Sequence, residues 1–104
     1  MTEYFVLSIK HTKKTDAYIS LWRPGNAGYC WPLPWAGIYT YRAVDKEPDY
    51  YNNGTDTIAV HWSAAVALVT QPRPGTVDGD VGPVILNTKE NWKKLRNARL
   101  KVVE

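Results

Sequence analysis

Apolar and polar residues alternate at the start of the chain. Over residues 4–11, Phe5, Leu7 and Ile9 fall on one side and Val6, Ser8 and Lys10 on the other. That period of two predicts a half-buried strand. The polar run Thr12, Lys13, Lys14, Thr15 and Asp16 marks a turn, after which Ala17, Ile19 and Leu21 alternate with Tyr18, Ser20 and Trp22. Two such stretches joined by a polar turn predict an antiparallel hairpin. Trp22 falls on the face opposite Ile19 and Leu21, free to pack beneath the segment that follows.

The alternation then stops. Residues 22–39 read W-R-P-G-N-A-G-Y-C-W-P-L-P-W-A-G-I-Y and hold three of the five tryptophans, three of the seven prolines, three of the seven glycines and the single cysteine. Proline removes backbone donors and fixes φ, while glycine permits turns closed to other residues, so neither a regular helix nor a central strand fits. The segment is a shaped loop fixed by its own aromatic side chains. Pro24 and Gly25 open it with a turn, Pro32 and Pro34 favour an extended path around Leu33, and Ile38, Tyr39 and Tyr41 add a short strand or lead into a turn.

Farther on, Asp45 is placed to cap a short helix with Pro48 in its first turn and Gly54 at its end. Residues 57–61 have strand character, with Ile58 and Val60 on one face and Ala59 on the other, and belong beside the hairpin. Ser63 is a cap for one or two helical turns carrying Ala65, Val66, Leu68 and Val69, which end before Pro72. A Pro- and Gly-rich loop over residues 71–83 leads to a brief apolar strand of Val84, Ile85 and Leu86. Asn87 or Thr88 then caps the last helix, with Glu90 in capping-box position after Asn87, and Trp92, Leu95, Ala98 and Val102 recur at helical spacing toward the core. These elements predict an α+β fold in a single domain of residues 1–104. An antiparallel sheet of three or four strands, including the N-terminal hairpin, is covered by the C-terminal helix, with short helices at the periphery.

Composition narrows the function classes. Thirteen Lys and Arg against ten Asp and Glu give a net charge of +3, which permits an acidic partner without demanding one. A lone cysteine excludes an intrachain disulfide, and the opening Met-Thr-Glu lacks the basic and apolar regions of a signal peptide. No apolar stretch is long enough to span a bilayer. The expectation is a protein of a reducing cytoplasm.

Candidate chemistry is sparse. Cys30 with His11 or His61 suggests a thiol nucleophile and its base, yet a cysteine among aromatics is more often a small buried hydrophobe. One cysteine and two histidines at scattered positions lack the paired spacing of zinc ligands. Asp78 and Asp80 imitate the start of a calcium loop, but Lys89 stands where its bidentate glutamate belongs, and a turn bonded by aspartate side chains is the simpler reading. No phosphate-cradling glycine motif is present, so no cofactor, metal or catalytic residue is expected. Lys89, Lys93, Lys94, Arg96, Arg99 and Lys101 on the last helix could meet nucleic-acid phosphates, although a solvated helix face is the commoner role. The best candidate for binding is the aromatic loop itself. Arg23 and the flexible backbone beside Tyr29 and Trp31 can hold a nucleotide by charge and stacking, and so many large rings close in sequence are hard to bury together. The candidate contact residues are Trp22, Arg23, Asn26, Tyr29, Trp31, Trp35 and Tyr39.

K-H-T at residues 10–12, W-R-P followed by G-Y-C-W-P-L-P-W-A-G-I-Y, D-Y-Y-N-N-G at residues 49–54 and P-G-T-V-D-G-D-V-G-P-V-I-L-N-T-K-E-N-W at residues 74–92 together resemble a family of short accessory proteins of tailed bacteriophages and prophages. The resemblance spans most of the chain but brings no established activity, so no functional residue is carried over. Pro48 departs from it, where an uninterrupted helix is favoured. What it implies is a setting, an accessory phage protein in the bacterial host cytoplasm. With the aromatic concentration and the absence of a catalytic constellation, the expectation is a non-enzymatic binding protein that antagonises a host factor, such as an antiviral defence system, through the aromatic loop. The alternatives are sequestration of a nucleotide signal by the same loop, nucleic-acid binding by the basic C-terminal helix, and a Cys/His enzyme. The expected partner is thus a host protein or a small nucleotide, with no membrane. Surplus aromatic surface leaves a homodimer open.

Overall fold

The computed structural model describes residues 3–101. In chain order, the first half contains β1 (Glu3–Ser8), β2 (Ser20–Trp22), β3 (Tyr29–Cys30), β4 (Tyr39–Thr40), α1 (Tyr41–Lys46) and α2 (Pro48–Tyr51). The second half contains β5 (Thr57–His61), α3 (Trp62–Val66), β6 (Val69–Thr70), β7 (Val84–Ile85) and α4 (Lys89–Asn97). The fold is α+β. β1 is its spine and pairs antiparallel with β5 along its length, from Tyr4 opposite His61 to Ser8 opposite Thr57. On its other side, β2 pairs with Leu7 and Ser8 as the expected hairpin, while β4 pairs with Glu3 and Tyr4. β3 extends this side through β2. The sheet therefore has five strands where three or four are expected, because the aromatic loop itself supplies β3 and β4; β6 and β7 form a separate pair.

The alternating pattern of β1 does not mean that one face is wet. Tyr4, Phe5, Val6, Leu7 and Ser8 are all buried. Phe5 and Leu7 join Leu21, Ile58 and Val60 in a core closed by Ala65 of α3, Ile85 of β7 and Leu95 of α4. On the opposite face Tyr4, Val6, Trp22, Tyr39 and Ala59 pack under Val44 of α1, with Tyr51 of α2 against them. Ser8 is tolerated inside because its hydroxyl accepts from the His11 amide at 2.9 Å and its carbonyl accepts from the Thr12 hydroxyl.

The helix boundaries differ from expectation for local reasons. Asp45 does not cap the helix that carries Pro48: it lies inside α1, which Thr40 caps, its Oγ1 accepting from the Ala43 amide at 3.1 Å. Pro48 stands in the first turn of its helix as expected, but directly after Glu47, and that helix closes at Asn52, before Gly54. β5 runs to His61, so His61 takes the capping role expected of Ser63, its Nδ1 accepting from the Ser63 amide at 3.2 Å. Val69 then belongs to β6. Thr88 caps α4, its Oγ1 accepting from the Asn91 amide at 3.1 Å. Glu90 consequently sits one position short of a capping box. Trp92 and Leu95 face the core as expected, whereas Ala98 lies exposed just past the helix, and Val102 lies outside the described residues. Beyond α4 the chain turns along the outer edge of β5, where Arg99 bridges Val60 and the Leu100 amide donates to the Ala59 carbonyl at 2.8 Å.

Candidate functional site

The loop over residues 22–39 is stapled by its own backbone. The Arg23 amide donates to the Gly28 carbonyl and the Gly37 amide to the Trp22 carbonyl, both at 2.8 Å. Its first turn puts Gly25 and Asn26 at φ values of 66° and 59°, a region that favours glycine and tolerates asparagine. Tyr39 closes the structure by donating its hydroxyl to the Arg23 carbonyl and accepting from the Asn26 amide at 3.2 Å.

The seven candidate contact residues do not form one surface. Trp22 and Tyr39 are only 8% and 7% exposed, because α1 and α2 cover their face of the sheet. The Trp22 ring lies edge-on to Tyr39 at 6.2 Å and to Tyr50 at 5.3 Å. These two residues support the loop from inside, and among the described residues the buried Trp22 indole N–H has no partner. Asn26 is exposed on the same side, near Tyr29, Tyr50 and Trp22 around a small hollow of about 190 Å³.

Arg23, Tyr29, Trp31 and Trp35 come together instead on another side, lining a cleft of about 290 Å³. The Arg23 side chain donates from Nε to the Tyr29 carbonyl at 3.0 Å, and its guanidinium lies 5.5 Å from the centre of the Trp35 ring. That is stacking distance for a cation on an indole. Trp31 meets the buried Tyr18 edge-on at 5.4 Å. The far wall, which the sequence does not signal, comes from the Pro- and Gly-rich loop: Thr76, Val77 and Asp78 line the cleft. Tyr18 holds that wall in place, its hydroxyl 2.7 Å from Thr76 Oγ1 and accepting from the Arg73 amide at 2.9 Å. The bond with Thr76 lowers the Tyr18 phenol from its ordinary value, ahead of the opposing effect of burial. The Leu33 amide donates to the Pro83 carbonyl at 2.9 Å, tying the two loops together directly. Asp80 serves its own turn, as expected, by accepting from the Gly75 amide at 2.8 Å.

Cys30 lies on the cleft floor but is buried, its thiol donating weakly to the Pro32 carbonyl at 3.6 Å. Burial pushes the thiol up to about 11, against a lowering pull from Arg23. The histidines do not serve it. His11 stacks on the Tyr29 ring at 4.2 Å, and Tyr29 and Cys30 project to opposite faces of β3, while the His61 Nδ1 is engaged with Ser63. A Cys/His nucleophile pair therefore has no geometric support.

The basic helix is also not uniform. Arg99 turns inward to donate to Asn52, so it is not part of the free cationic face. Lys89 and Arg96 instead join Lys14 from the first hairpin around Trp92, in a hollow of about 470 Å³. Among the described residues no group of three or more His, Cys, Asp or Glu could hold a metal ion, and no helix is long and apolar enough to cross a membrane. No protein-family model, curated protein or solved structure matches the chain. The class it defines is thus given by its own geometry: a small α+β protein with an aromatic cleft that carries a stacked cation.

Proposed function

We propose that the chain is a non-catalytic binding protein, and that its contact surface is the cleft between the aromatic loop and the Pro- and Gly-rich loop. In the phage accessory setting that the sequence resemblance implies, it works in the bacterial cytoplasm by occupying a host protein of an antiviral defence system. The observation that carries the binding reading is the cleft itself: Arg23 stacked on Trp35 and held by the Tyr29 carbonyl, with Trp31 beside them and Thr76, Val77 and Asp78 of the second loop completing the lining. Stacked aromatic area supplies affinity at small cost in side-chain entropy, and charges of both signs fix orientation. This mixture favours a polypeptide over the nucleotide signal, because phosphates attracted by Arg23 would also meet Asp78.

The test is affinity capture from the bacterial host with the wild-type chain, Arg23→Glu and Trp31→Ala, each first shown to be folded by circular dichroism. A stoichiometric protein retained by the wild type and lost by both variants is expected. Equal retention by all three removes the cleft from the function, and a nucleotide-sized mass released on denaturation in native mass spectrometry supports the sequestering alternative.

Nucleic-acid binding keeps one observation in its favour, the convergence of Lys14, Lys89 and Arg96 around Trp92. It requires retention on DNA or RNA that weakens steeply with salt, and Lys89→Glu with Arg96→Glu should abolish it.

A further inference from the structure

The face of the sheet opposite the cleft core carries a second feature. A trough of about 290 Å³ is lined by Trp22, Tyr29, Tyr50, His11, Asp49 and Asp56. Its rings come from three separate elements. Trp22 and Tyr29 are cross-strand partners of β2 and β3, and Tyr50 of α2 stands edge-on to Trp22. Tyr29 and Tyr50 are 43% and 50% exposed; His11 covers one face of the Tyr29 ring at 4.2 Å, so the open aromatic surface is Tyr50 and the rest of Tyr29, over the largely buried Trp22.

The backbone of both acidic residues is fixed by hydrogen bonds to a neighbouring asparagine. Asn53 Oδ1 accepts from the amides of Thr55 at 2.8 Å and Asp56 at 2.7 Å, and Asn53 Nδ2 donates to the Asp49 carbonyl at 3.3 Å. The Asp56 carbonyl in turn accepts from the amides of Ile9 and Lys10 at 2.8 and 3.2 Å. One asparagine thus sets the backbone of both acidic residues, and Asp56 is fastened to the segment that carries His11. Asp49 and Asp56 line this trough with one lysine, Lys10, and His11, an acidic excess on a chain whose net charge is +3.

Electron-rich ring faces beside carboxylates are the chemistry that holds organic cations, since the rings attract positive charge without the full desolvation cost of a bare ion pair. We infer that this trough binds a guanidinium or alkylammonium group against Tyr29, Tyr50 and Trp22, with Asp49 and Asp56 neutralising it. The cation belongs either to a free small molecule or to an Arg or Lys side chain of a polypeptide. The trough shares Tyr29 with the lining of the cleft but lies on the Trp22 side of β3, and it does not depend on the function proposed for the cleft.

The experiment is a titration of the isotopically labelled full chain with N-acetyl-arginine amide, followed by NMR at the amides of Tyr29, Asp49, Tyr50 and Asp56. N-acetyl-citrulline amide, its neutral isostere, is the control. Saturable shifts confined to the trough are expected for arginine, with binding of citrulline at least about tenfold weaker. Tyr50→Leu, and separately Asp49→Asn with Asp56→Asn, should each weaken arginine binding about tenfold, and Lys10→Gln should strengthen it. These side chains lie at the surface, so their substitution leaves the fold in place, as unchanged amide spectra elsewhere will verify. Equal responses to arginine and citrulline, absence of saturable shifts up to the solubility limit, or undiminished binding in both sets of variants would overturn the inference. Tighter binding of a capped Gly-Arg-Gly peptide than of the single amide assigns the cation to a polypeptide; equal binding, with tetramethylammonium also bound, assigns it to a free small molecule.

Discussion

Arg99 donates from Nε to the Asn52 side-chain oxygen at 2.8 Å and from a terminal nitrogen to the Asn52 carbonyl at 2.6 Å. Asn52 is only 1% exposed, and the rest of its amide is also occupied: Oδ1 accepts from the Ala59 amide at 3.0 Å and Nδ2 donates to the Leu100 carbonyl at 2.8 Å. One side chain therefore joins the end of α2, the outer edge of β5 and the segment after α4. Asn52→Ala leaves the Ala59 amide and the Leu100 carbonyl without their side-chain partner and should cost about 2–4 kcal/mol in urea denaturation. Arg99→Ala, at a half-buried position, should cost about 1–2 kcal/mol. The double variant should lose clearly less than the sum, since the two residues share their bonds.

Gly37 makes a separate prediction about the aromatic loop. A Cβ there would stand 2.8 Å from both Cα and N of Pro24 and 3.0 Å from the Arg23 carbonyl carbon, all backbone atoms that cannot rotate away. Gly37→Ala should therefore cost about 3 kcal/mol and loosen the cleft wall. Gly28 has empty space around it but a φ of +108°, so Gly28→Ala meets conformational strain alone, about 1–2 kcal/mol. Thermal melts of the two variants should rank them in that order, and a harmless Gly37→Ala would show that the two ends of the loop do not pack this closely.

Tyr39→Phe should act on the cleft without touching it. The lost hydroxyl donates to the Arg23 carbonyl and accepts from the Asn26 amide, so its removal frees the turn that carries Arg23. Stability should fall by about 1 kcal/mol, and hydrogen exchange at the Asn26 amide should quicken about fivefold. Unaltered exchange at Asn26 would mean that the turn is held by the backbone bonds alone.

These residues also show where the sequence is readable. The hairpin is legible because residues 4–8 and 20–22 keep a period of two, and the aromatic segment is legible as a loop because its prolines and glycines exclude the alternatives. The period says nothing about what covers each face. Trp22 and Tyr39 become interior residues only because residues 41–51 fold over them, and the interruption at Pro48 that divides those helices is local while their docking is not. Likewise, Thr76 and Asp78 reach the cleft through the bond between Tyr18 and Thr76, across 58 residues that no local pattern connects. One cap shifted, because α3 begins at Trp62 and so takes His61 in place of Ser63; of the two caps expected for α4, Thr88 serves, while the Asn87 amide donates to the carbonyls of Lys13 and Asp16.

The last prediction concerns Cys30. Burial raises its thiol from 9.0 to about 11, so the folded chain holds this proton more tightly than the unfolded chain does. Between those two values the unfolded state binds fewer protons, and stability must fall as pH rises. The contribution of the neutral thiol is fully present below pH 9.0 and is lost as pH passes through about 11. Cys30→Ala should remove that dependence, leaving a flatter profile of urea midpoint over the same range. At pH 8, the raised value alone lowers the thiolate fraction about a hundredfold, so iodoacetamide should label the native chain at least that much more slowly than the chain in urea. Rapid labelling of the native protein at pH 8 would instead reveal an accessible thiolate and restore Cys30 as a candidate nucleophile.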